Sequence, residues 1–436
     1  MTVNLPIKFQ QKMKEILQEE YDSYLDSYKK ESYTSIRINT NKISVERFLD
    51  IFPYPLKPVP WVKDGFYVED KSLVSKHPYY FAGLYYIQEP SAMLPSEVLP
   101  VQKGDKVLDL CAAPGGKSIR LATKLQNTGV LVSNDISSSR CQALIKNLEK
   151  FGVRNTIVTS SASSDLVSIF EDYFDCVLVD APCSGEGMFR KEKELIKAYE
   201  QRDSSYYVPL QKQILCDGIE MVKKGGYVVY STCTFSKEED EEIIQYALEK
   251  YPTLHVLPIP YTEGFVQTNY GTKLFPHRIE GEGHFVCLMQ LGETKEKTYD
   301  KTIDFHYDLD TIHYSQPNAM LYEKKDHFYA LSKIERDISS LRLMRSGVLL
   351  AENKKGRLHP SGALALALEP DMCTNQLNLS IEDPRVMKYL KGETIEVKEE
   401  IKDGIVLVMV EGFPLGLATY KKKVFKNGYP KGWLYK

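Results

Sequence analysis

Two cysteines lie just after short apolar segments that the sequence predicts to be neighbouring β-strands. Cys183 belongs to the segment 180–185 (Asp-Ala-Pro-Cys-Ser-Gly), and Cys233 belongs to the segment 231–235 (Ser-Thr-Cys-Thr-Phe). A thiolate is a soft nucleophile that suits reversible addition to an electron-poor ring carbon. In a cytosine, such an addition to carbon 6 makes carbon 5 nucleophilic and ready to receive a methyl group. The two thiols therefore predict methylation of carbon 5 of cytosine in RNA.

The residues beside Cys183 favour a ring carbon as the target. Enzymes that methylate exocyclic amines commonly carry Pro-Pro-aromatic after the corresponding strand, whereas this chain has Pro182-Cys183-Ser184. Asp180 is placed to hydrogen-bond the polar edge of the cytosine while carbon 6 is attacked. The pattern therefore predicts Asp180 as a third catalytic residue.

Cys233 precedes a predicted helix, and the segment 236–239 (Ser-Lys-Glu-Glu) is typical of a capping box at its start. The positive end of that helix would favour the thiolate form of Cys233. A single cysteine at a strand end is more often an inert packing residue, but two at neighbouring strand ends, beside a cofactor turn, favour catalysis. Six other cysteines lack such a setting and are interpreted as structural, with Cys111 also a candidate for the lining of the cofactor pocket: Cys111, Cys141, Cys176, Cys216, Cys287 and Cys373.

A glycine-containing turn lies upstream of both thiols. It consists of Cys111, Ala112, Ala113, Pro114, Gly115, Gly116 and Lys117, after a predicted strand. Adjacent glycines let the backbone approach a ligand closely. Asp135 follows the second predicted strand, where a carboxylate reaches ribose hydroxyls in nucleotide-type sites. The turn is neither Gly-x-Gly-x-x-Gly nor a phosphate loop, which argues against a dinucleotide dehydrogenase and an ATPase.

Short apolar segments alternate with helix-length segments between Gln88 and Gly292, as in βαβ units. Strands are predicted at 106–110, 129–134, 156–159, 176–179, 227–231, 254–257 and 284–291. Helices are predicted near 117–125, 138–151, 210–222 and 236–250. This is an α/β pattern, and it predicts a Rossmann-like open parallel sheet that binds ligands at the carboxyl ends of its strands.

The chain is long enough for several domains. Four units are predicted: a small α/β module over 1–85, the core over 86–292, a mixed α/β segment over 301–370 and a compact β domain over 380–436. Within the first unit, we expect a helix over 9–28, a strand over 35–40 and a second helix over 42–52.

The composition is that of a soluble protein, with 43% hydrophobic and 26% charged residues. The start lacks the regions of a signal peptide, and the apolar runs are too short to span a bilayer. The eight cysteines include no Cys-x-x-Cys pair, which argues against a zinc ribbon and a disulfide framework. We therefore expect a cytoplasmic monomer with reduced thiols, no membrane partner and no metal.

A net charge of −3 argues against a protein that binds nucleic acid over its whole surface. The charge is uneven, however, because residues 301–436 carry 21 Lys and Arg against 18 Asp and Glu, and no acid follows Glu411. Lysines neutralise phosphates and aromatic rings stack on unpaired bases. A lysine-protected edge of a small β domain explains the same pattern equally well. The candidate RNA contacts are Lys421, Lys422, Lys423, Lys426, Tyr429 and Trp433.

Several of these motifs resemble those of the Nop/Sun family of RNA 5-methylcytosine methyltransferases. The resemblance is carried by the turn 111–117 and the segments 180–190 and 230–235, and it extends to the segments 86–93 and 276–285. The later motifs at 356–361 and 412–416 are similar to the branch of the family that acts on bacterial small-subunit (16S) ribosomal RNA.

The resemblance implies S-adenosylmethionine as the cofactor, held by residues 111–117, Asp135 and Asp180. It implies Cys233 as the nucleophile and Cys183 as the thiol that assists release of the methylated product. Ribosomal RNA or the small ribosomal subunit is the implied partner.

The resemblance also implies roles outside the thiol loops. Lys117 and Arg190 would orient the base or a phosphate, and the N-terminal module would bind RNA. The segment 301–370 would be ferredoxin-like, and the final domain, 380–436, would be a PUA-like RNA binder.

One position departs from the family pattern. Relatives often carry an acid after the third strand, near the adenine, whereas this chain has Ser160 and Ser161, which leaves Asp165 as a candidate. Other functions stay open. Cys183 could be the nucleophile, as in DNA cytosine methyltransferases, although their Glu-Asn-Val element is absent from the sequence. The chain could instead be a non-catalytic ribosome-assembly protein that binds RNA, or a nicotinamide-dependent oxidoreductase.

Overall fold

The N-terminal part of the chain forms a small four-stranded sheet flanked by helices. The protein is represented by a computed structural model that describes residues 4–294, 297, 299 and 302–435. The strands pair in the order β2-β3-β1-β4. The elements are α1 (Ile7–Leu17), α2 (Tyr21–Ser27), β1 (Thr34–Ile38), α3 (Val45–Ile51), β2 (Lys57–Pro58), β3 (Gly65–Val68), α4 (Lys71–Lys76), α5 (Pro78–Phe81) and β4 (Tyr85–Gln88).

Two helices of this module differ from their predicted extents. The helix expected over 9–28 is interrupted by a 3₁₀ turn at Gln18–Glu20, which separates α1 from α2. The helix expected from residue 42 begins only at Val45, because Ser44 caps it and accepts a hydrogen bond from the Arg47 amide.

The central part of the chain forms the largest sheet. Its elements are α6 (Leu94–Val98), β5 (Lys106–Asp109), α7 (Gly116–Leu125), β6 (Val130–Asn134), α8 (Ser138–Lys150), β7 (Thr156–Thr159), α9 (Ser163–Phe170), β8 (Phe174–Asp180), α10 (Glu194–Gln201), α11 (Ser204–Met221), β9 (Val222–Thr232), α12 (Glu241–Lys250), β10 (Leu254–Leu257), β11 (Phe265–Thr268), β12 (Gly271–Leu274) and β13 (His284–Leu291).

Strands β5 to β9 run parallel in the order β9-β8-β5-β6-β7, and β13 adds antiparallel to β9. Successive residues of β5 belong to different hydrophobic clusters, with Val107 on one side of the sheet and Leu108 on the other. Both faces are therefore covered, which is why these strands are almost continuously apolar. The predicted Rossmann-like sheet is confirmed.

The C-terminal part of the chain consists mainly of antiparallel hairpins. Its elements are β14 (Asp304–Leu309), β15 (Ile312–Pro317), β16 (Ala319–Lys324), β17 (His327–Ser332), β18 (Leu343–Ser346), β19 (Val348–Lys354), β20 (Arg357–Pro360), α13 (Leu364–Ala367), β21 (Gln376–Leu379), α14 (Pro384–Leu390), β22 (Gly404–Val410), β23 (Phe413–Lys421) and β24 (Val424–Asn427).

The ferredoxin-like prediction for 301–370 is not matched by this topology. A ferredoxin-like unit alternates strands and helices as βαββαβ, whereas the described residues from 304 to 360 contain strands joined by turns. Asp310, Asn318, Lys325 and Lys355 adopt positive φ angles in those turns, which makes tight hairpins possible. In addition, β18 pairs with β7 and extends the central sheet.

The last domain packs against the N-terminal module. In the last sheet, β21 is parallel to β22, and β22, β23 and β24 form an antiparallel meander. One hydrophobic cluster includes Ile36 and Phe48 from the module and Leu377 and Val408 from the last domain. Among the described residues, no helix is both long enough and apolar enough to cross a membrane.

Candidate active site

The two predicted catalytic thiols meet at the carboxyl edge of the central sheet. β8 and β9 are parallel neighbours, and Asp180 near the end of β8 is paired in register with Ser231 near the end of β9. The loops that follow therefore leave the sheet side by side. The Sγ atoms of Cys183 and Cys233 are 3.3 Å apart, and both cysteines are partly exposed.

Asp180 is fixed by side chains from three other elements. Its Oδ2 accepts a hydrogen bond from Lys117 Nζ at 2.7 Å, and its Oδ1 accepts one from Ser231 Oγ at 2.7 Å. His284 Nε2 lies 3.4 Å from Oδ1. Burial alone would raise the pKa of Asp180, but Lys117 and His284 outweigh burial and lower it. Asp180 is therefore an ionised hydrogen-bond acceptor at neutral pH.

Lys117 is a buried cation paired with this carboxylate. It is the second residue of α7, and its side chain is 13% exposed. Burial lowers the pKa of Lys117, but Asp180 together with the nearby Asp109 and Cys233 raises it above the usual value. Lys117 therefore interacts electrostatically with both Asp180 and Cys233 and keeps its positive charge.

The surroundings of Cys183 oppose its ionisation. Its hydrogen bond with Cys233 and its burial raise the pKa of Cys183 well above the usual value. A negative charge on either of two sulfur atoms in contact disfavours a charge on the other. Cys183 therefore retains its proton.

A buried carboxylate below the thiols joins their two loops. Glu239 accepts hydrogen bonds from the Ser184 amide at 2.9 Å, from Ser184 Oγ at 2.5 Å and from Gln211 Nε2 at 2.9 Å. Ser184 Oγ is also 2.9 Å from Thr234 Oγ1. Ser184 follows Cys183 and Thr234 follows Cys233, so this network sets the spacing of the thiols.

The same network makes the predicted capping box wrong. Glu239 does not bond back to the start of a helix, because Ser184 and Gln211 occupy its carboxylate. The hydroxyl of Ser236 donates to Glu238 instead, and α12 begins only at Glu241. The helix that follows Cys233 therefore begins five residues later than predicted.

The N-terminal helix reaches the loops of both thiols. Lys12 Nζ lies 2.9 Å from Glu186 Oε1 and 3.0 Å from Ser236 Oγ. Glu186 is fully buried, and its Oε2 accepts a hydrogen bond from the Phe235 amide. Helix α1 thereby connects the N-terminal module to the chain segments on either side of the site.

The predicted cofactor turn lies between β5 and α7 on the same edge of the sheet. Gly115 has a φ angle of 115°, and α7 begins at Gly116 with free amide groups at its N-terminus. A Cβ atom at position 116 would lie 2.8 Å from the Tyr86 ring and 3.2 Å from Gln88 Nε2. The two glycines are thus required by conformation and by close packing.

Buried carboxylates surround this turn. Asp109 is fully buried, its Oδ2 accepts a hydrogen bond from Ser118 at 2.6 Å, and its Oδ1 has no hydrogen-bond partner in the described structure. Burial, reinforced by Asp180, raises the pKa of Asp109 to about 7. Asp135 accepts hydrogen bonds from the Ala113 and Ser137 amides.

The other predicted residues of the turn also lie at this site. The Ala112 amide donates to the carbonyl oxygen of Asn134, and Arg140 donates to the carbonyl oxygen of Ala113. Pro114 accepts a hydrogen bond from Asn147 at 2.9 Å, and Cys111 is partly exposed. The structure therefore brings together the whole predicted cofactor set, from Cys111 to Lys117 with Asp135 and Asp180.

The three candidates for an adenine contact differ in accessibility. Ser160 and Ser161 are largely buried, at 7% and 9% exposure, and Ser160 Oγ donates to the carbonyl oxygen of Ile136. Asp165 is exposed in the first turn of α9. Of the three, Asp165 has the carboxylate that is free to meet a ligand from solvent.

The structure gives Arg190 a role that differs from the predicted one. Its guanidinium donates to both oxygens of Glu282, at 2.8 and 3.0 Å, and to the carbonyl oxygens of Ser27 and Gly281. The side chain is 5% exposed. Because its donors are used internally, Arg190 holds the loop near β13 against α2 and is not available to RNA.

The candidate RNA contacts of the last domain are only partly accessible. Four lysines are exposed at or near the β23–β24 turn: Lys421, Lys422, Lys423 and Lys426. Trp433 is partly exposed. Tyr429 is 6% exposed and packs on Tyr389 with ring centroids 5.5 Å apart, so its ring cannot stack on a base. The lysines remain candidates and Tyr429 does not.

Comparison with known proteins identifies the family. A family model described as 16S rRNA methyltransferase RsmB/F matches residues 96–290. Models of the RsmF N-terminal domain, first C-terminal domain and PUA domain match residues 5–90, 304–368 and 376–435. The ribosomal RNA small subunit methyltransferase F of Vibrio parahaemolyticus is 30% identical over 98% of this chain and 97% of its own length.

The chain belongs to the 16S rRNA methyltransferase RsmB/F family.

Other relatives support this membership. The ribosomal RNA small subunit methyltransferase F of Escherichia coli is 28% identical over 99% of this chain and 96% of its own length. A solved methyltransferase homologue from Pyrococcus horikoshii is 32% identical, with a TM-score of 0.55, and covers 64% of this chain and 93% of its own. NSun6 from the same organism, solved with SFG, is 19% identical with a TM-score of 0.57 over 67% of this chain and 99% of its own, which shows the shared fold.

Several residues of this RsmB/F-family site were not predicted individually. They are Ser231, Glu239, Gln211, Glu186 and His284, which support the thiols and Asp180. His284 had a usable signal, because it begins a correctly predicted strand and antiparallel pairing of that strand with β9 brings it beside Asp180. The described residues contain no cluster of three or more His, Cys, Asp and Glu side chains suited to a metal ion.

Proposed function

We propose that this member of the RsmB/F family transfers a methyl group from S-adenosylmethionine to carbon 5 of a cytosine in 16S ribosomal RNA. The observation that carries the proposal is the contact of two thiols at the edge of the sheet that also holds an ionised aspartate. The sulfur atoms of Cys183 and Cys233 are 3.3 Å apart, and Lys117 links Asp180 to Cys233. The names of the full-length relatives support ribosomal RNA or the small subunit as the substrate.

The residues of the turn fit S-adenosylmethionine. Helix α7 begins at Gly116 and directs the N-terminal end of its backbone to this edge of the sheet, and Asp135 is placed where it would meet ribose hydroxyls. The unpartnered Oδ1 atom of the buried Asp109 is an acceptor that lacks a donor within the chain. When bound, S-adenosylmethionine supplies an electrophilic methyl group on a sulfonium. Asp165 is proposed as the residue near the adenine.

Cys233 is proposed as the nucleophile. In the proposed reaction its thiolate forms a bond to carbon 6 of the cytosine, and carbon 5 thereby becomes nucleophilic. Because Asp180 is ionised, it accepts a hydrogen bond from the exocyclic amino group of the cytosine and does not protonate the ring. The base must leave its stack to reach this position.

Release of the product is assigned to Cys183. After carbon 5 has received the methyl group, it must lose its proton before the bond between Cys233 and carbon 6 can break. Once the Cys233 sulfur is bonded to carbon 6 it carries no negative charge, so Cys183 can lose its own proton to solvent. The resulting Cys183 thiolate then takes the carbon 5 proton, directly or through a water molecule, and becomes a thiol again. The products are 5-methylcytosine and a regenerated Cys233 thiolate.

A denaturing gel of Cys183→Ala and Cys233→Ala proteins expressed in cells, probed for covalently attached RNA, tests this division of roles. We expect a slow, nuclease-sensitive band from Cys183→Ala alone, because addition occurs and release is blocked. The same band from Cys233→Ala alone would show that Cys183 is the nucleophile. Ribonucleoside mass spectrometry on 16S ribosomal RNA from cells lacking the protein is expected to show loss of 5-methylcytidine. An unchanged nucleoside profile would support a non-catalytic role in ribosome assembly.

The remaining units are proposed to hold the RNA. The N-terminal module over 1–85 and the PUA-like domain over 380–436 flank the core and share one hydrophobic cluster. The exposed lysines at 421–423 and 426 are proposed as phosphate contacts. We propose that the protein works as a monomer, because each residue assigned to the reaction comes from one chain.

A further inference from the structure

The sheet β16-β17-β19-β20 has one buried face and one open face. On the buried face, Ala330, Val348, Leu350 and Ala351 are at most 1% exposed and belong to a hydrophobic cluster. The residues on the other face are partly or fully exposed. We call this surface the open sheet face and define it by Tyr322, Lys324, His327, Tyr329, Lys354 and Arg357.

Three rings lie side by side on the open sheet face. Tyr322 and Tyr329 are direct partners in the β16–β17 register, with ring centroids 6.2 Å apart. The rings of His327 and Tyr329 are 6.3 Å apart and nearly parallel, at an angle of 22°. All three side chains are partly exposed. A row of accessible rings on a four-stranded antiparallel sheet is a surface on which unpaired bases can stack.

Cations flank these rings on both sides. Lys324 lies opposite His327 in the β16–β17 register, and Lys354 lies opposite Arg357 in the β19–β20 register. The acid on this face, Glu352, pairs with Lys354 at 2.6 Å and lies 3.9 Å from His327. Tyr329 also interacts with the ion pair of Arg345 and Glu149, which adds no net charge. Lys324, Lys354 and Arg357 thus leave the face with a net positive charge beside Glu352, and this charge complements a phosphate backbone.

The open sheet face is attached directly to the catalytic sheet. β18 pairs with β7 at the edge of the central sheet, and only Gly347 separates β18 from β19. A Cβ atom at position 347 would lie 2.0 Å from the carbonyl oxygen of Ala330, so the connection is tightly packed. A ligand on the open sheet face is thus held by the same framework that carries the thiols.

We infer that the open sheet face binds an unpaired segment of RNA, with bases stacked on Tyr322, His327 and Tyr329 and phosphates beside Lys324, Lys354 and Arg357. The inference rests on the proposed function, because the bound RNA is taken to be the methylated one. Unpaired RNA is favoured over a duplex because only unpaired bases offer their faces to rings. It is favoured over a protein partner because lysines are depleted at the centre of protein interfaces.

Fluorescence anisotropy with the full chain and a fluorescein-labelled twelve-nucleotide unpaired RNA of mixed sequence tests the inference. The double variant Tyr322→Ala/Tyr329→Ala removes two rings, and we expect its Kd to rise at least about tenfold, since each stacked base contributes severalfold. Tyr322→Phe/Tyr329→Phe keeps the rings and is expected to bind within about twofold of the original protein. Leu321→Ala is the matched control, because Leu321 is exposed on the same strand but on the opposite side.

A second variant tests the charges without altering the rings. Lys324→Gln/Arg357→Gln is expected to weaken binding and to reduce the slope of log Kd against log salt by about 1.4, because two phosphate contacts of a single strand are lost. Circular dichroism and thermal unfolding identify variants that fail to fold. If the ring variant does not fold, the RNA affinity of the charge variant tests the inference. Unchanged affinity in folded ring and charge variants would overturn the inference and would favour a protein partner for this face. An equal loss for the Phe and Ala variants would overturn stacking.

Failure of this inference is distinguishable from failure of the proposed function. The ring variants are combined with Cys183→Ala and probed for covalently attached RNA in cells. If the adducts form normally and RNA affinity is unchanged, the open sheet face does not bind RNA, and the proposed reaction still holds. If RNA binding depends on the rings but neither an adduct nor methyl transfer is detected, the open sheet face binds RNA and the proposed reaction is wrong.

Discussion

The catalytic edge of the central sheet and the open sheet face are built in opposite ways. At the catalytic edge, Glu239 and Glu186 are fully buried, and their oxygens are used to hold the loops of the two thiols. On the open sheet face, rings and cations reach solvent, and Glu352 is the carboxylate that pairs with them. Chemistry at a ring carbon requires atoms fixed to within a fraction of an ångström, whereas RNA binding requires accessible surface. Substitutions at the edge should therefore change kcat, and substitutions on exposed surfaces should change affinity.

Lys117→Met should give the largest effect, a fall in kcat of at least about 100-fold. The substitution leaves the partly buried carboxylate of Asp180 without its main cation and removes a positive charge that interacts with Cys233. The measurement is single-turnover methyl transfer at saturating RNA and S-adenosylmethionine. Lys124→Met is the matched control, because Lys124 lies on the same helix and donates only to the carbonyl oxygens of Glu97 and Leu99. Equal losses of rate in the two variants would show that Lys117 is merely structural.

Glu239→Ala should lower kcat by about 10- to 100-fold while leaving the KM for RNA nearly unchanged. Glu239 touches neither thiol, but it holds Ser184 and thereby the spacing of Cys183 from Cys233. Glu239→Gln keeps one acceptor oxygen and is expected to retain most of the rate. The rate of disulfide formation between the thiols on addition of diamide reports their spacing, and we expect it to fall in Glu239→Ala. A variant with unchanged disulfide formation and a raised KM would contradict the positioning role.

The sequence was sufficient for the parts of the site that depend on strand ends. Clearly apolar strands precede the two thiols, Asp180 and the turn from Cys111 to Lys117. Parallel strands bring their carboxyl ends to one edge of the sheet, so these residues are expected to lie together. The support below the thiols was not predictable in the same way. Ser236 and Glu239 match a capping box locally, and only the tertiary approach of Ser184 and Gln211 diverts Glu239 from that role.

The charged residues show the same limit. Arg190 and Tyr429 have the residue types of RNA contacts, but Glu282 and Tyr389, from distant parts of the sequence, bury them. Conversely, residues 319–360 form the strands of the open sheet face, but their sequence does not show which side of the sheet is covered. That depends on how α13 and the last domain pack against one side of it. Local patterns thus predicted the elements, and burial decided which side chains are available.

Asp109→Asn should change the pH dependence of stability at the catalytic edge. Burial raises the pKa of Asp109 to about 7 in the folded protein, whereas an aspartate in the unfolded chain has a pKa near 4. Between about pH 4 and pH 7 the folded state therefore keeps a proton that the unfolded state has lost, so this group makes stability fall as pH rises, by about 1 kcal/mol per pH unit. The asparagine variant lacks this contribution, and thermal unfolding from pH 5 to pH 8 should show a shallower decline. Parallel profiles would place the pKa of Asp109 at its ordinary value.

The smallest effect on RNA affinity is expected from the lysines of the last domain. Their substitution also compares exposed with buried candidate RNA contacts in the same domain. The variant Lys421→Gln/Lys422→Gln/Lys423→Gln removes exposed cations and should weaken RNA binding by about threefold to tenfold, with a reduced salt slope. Tyr429→Leu removes a ring that is buried against Tyr389, so the variant that remains folded should bind RNA with unchanged affinity. Anisotropy measurements at several salt concentrations give both quantities. If the lysine variant bound RNA with the original slope, these residues would protect a solvated strand edge, and RNA binding would depend on the open sheet face instead.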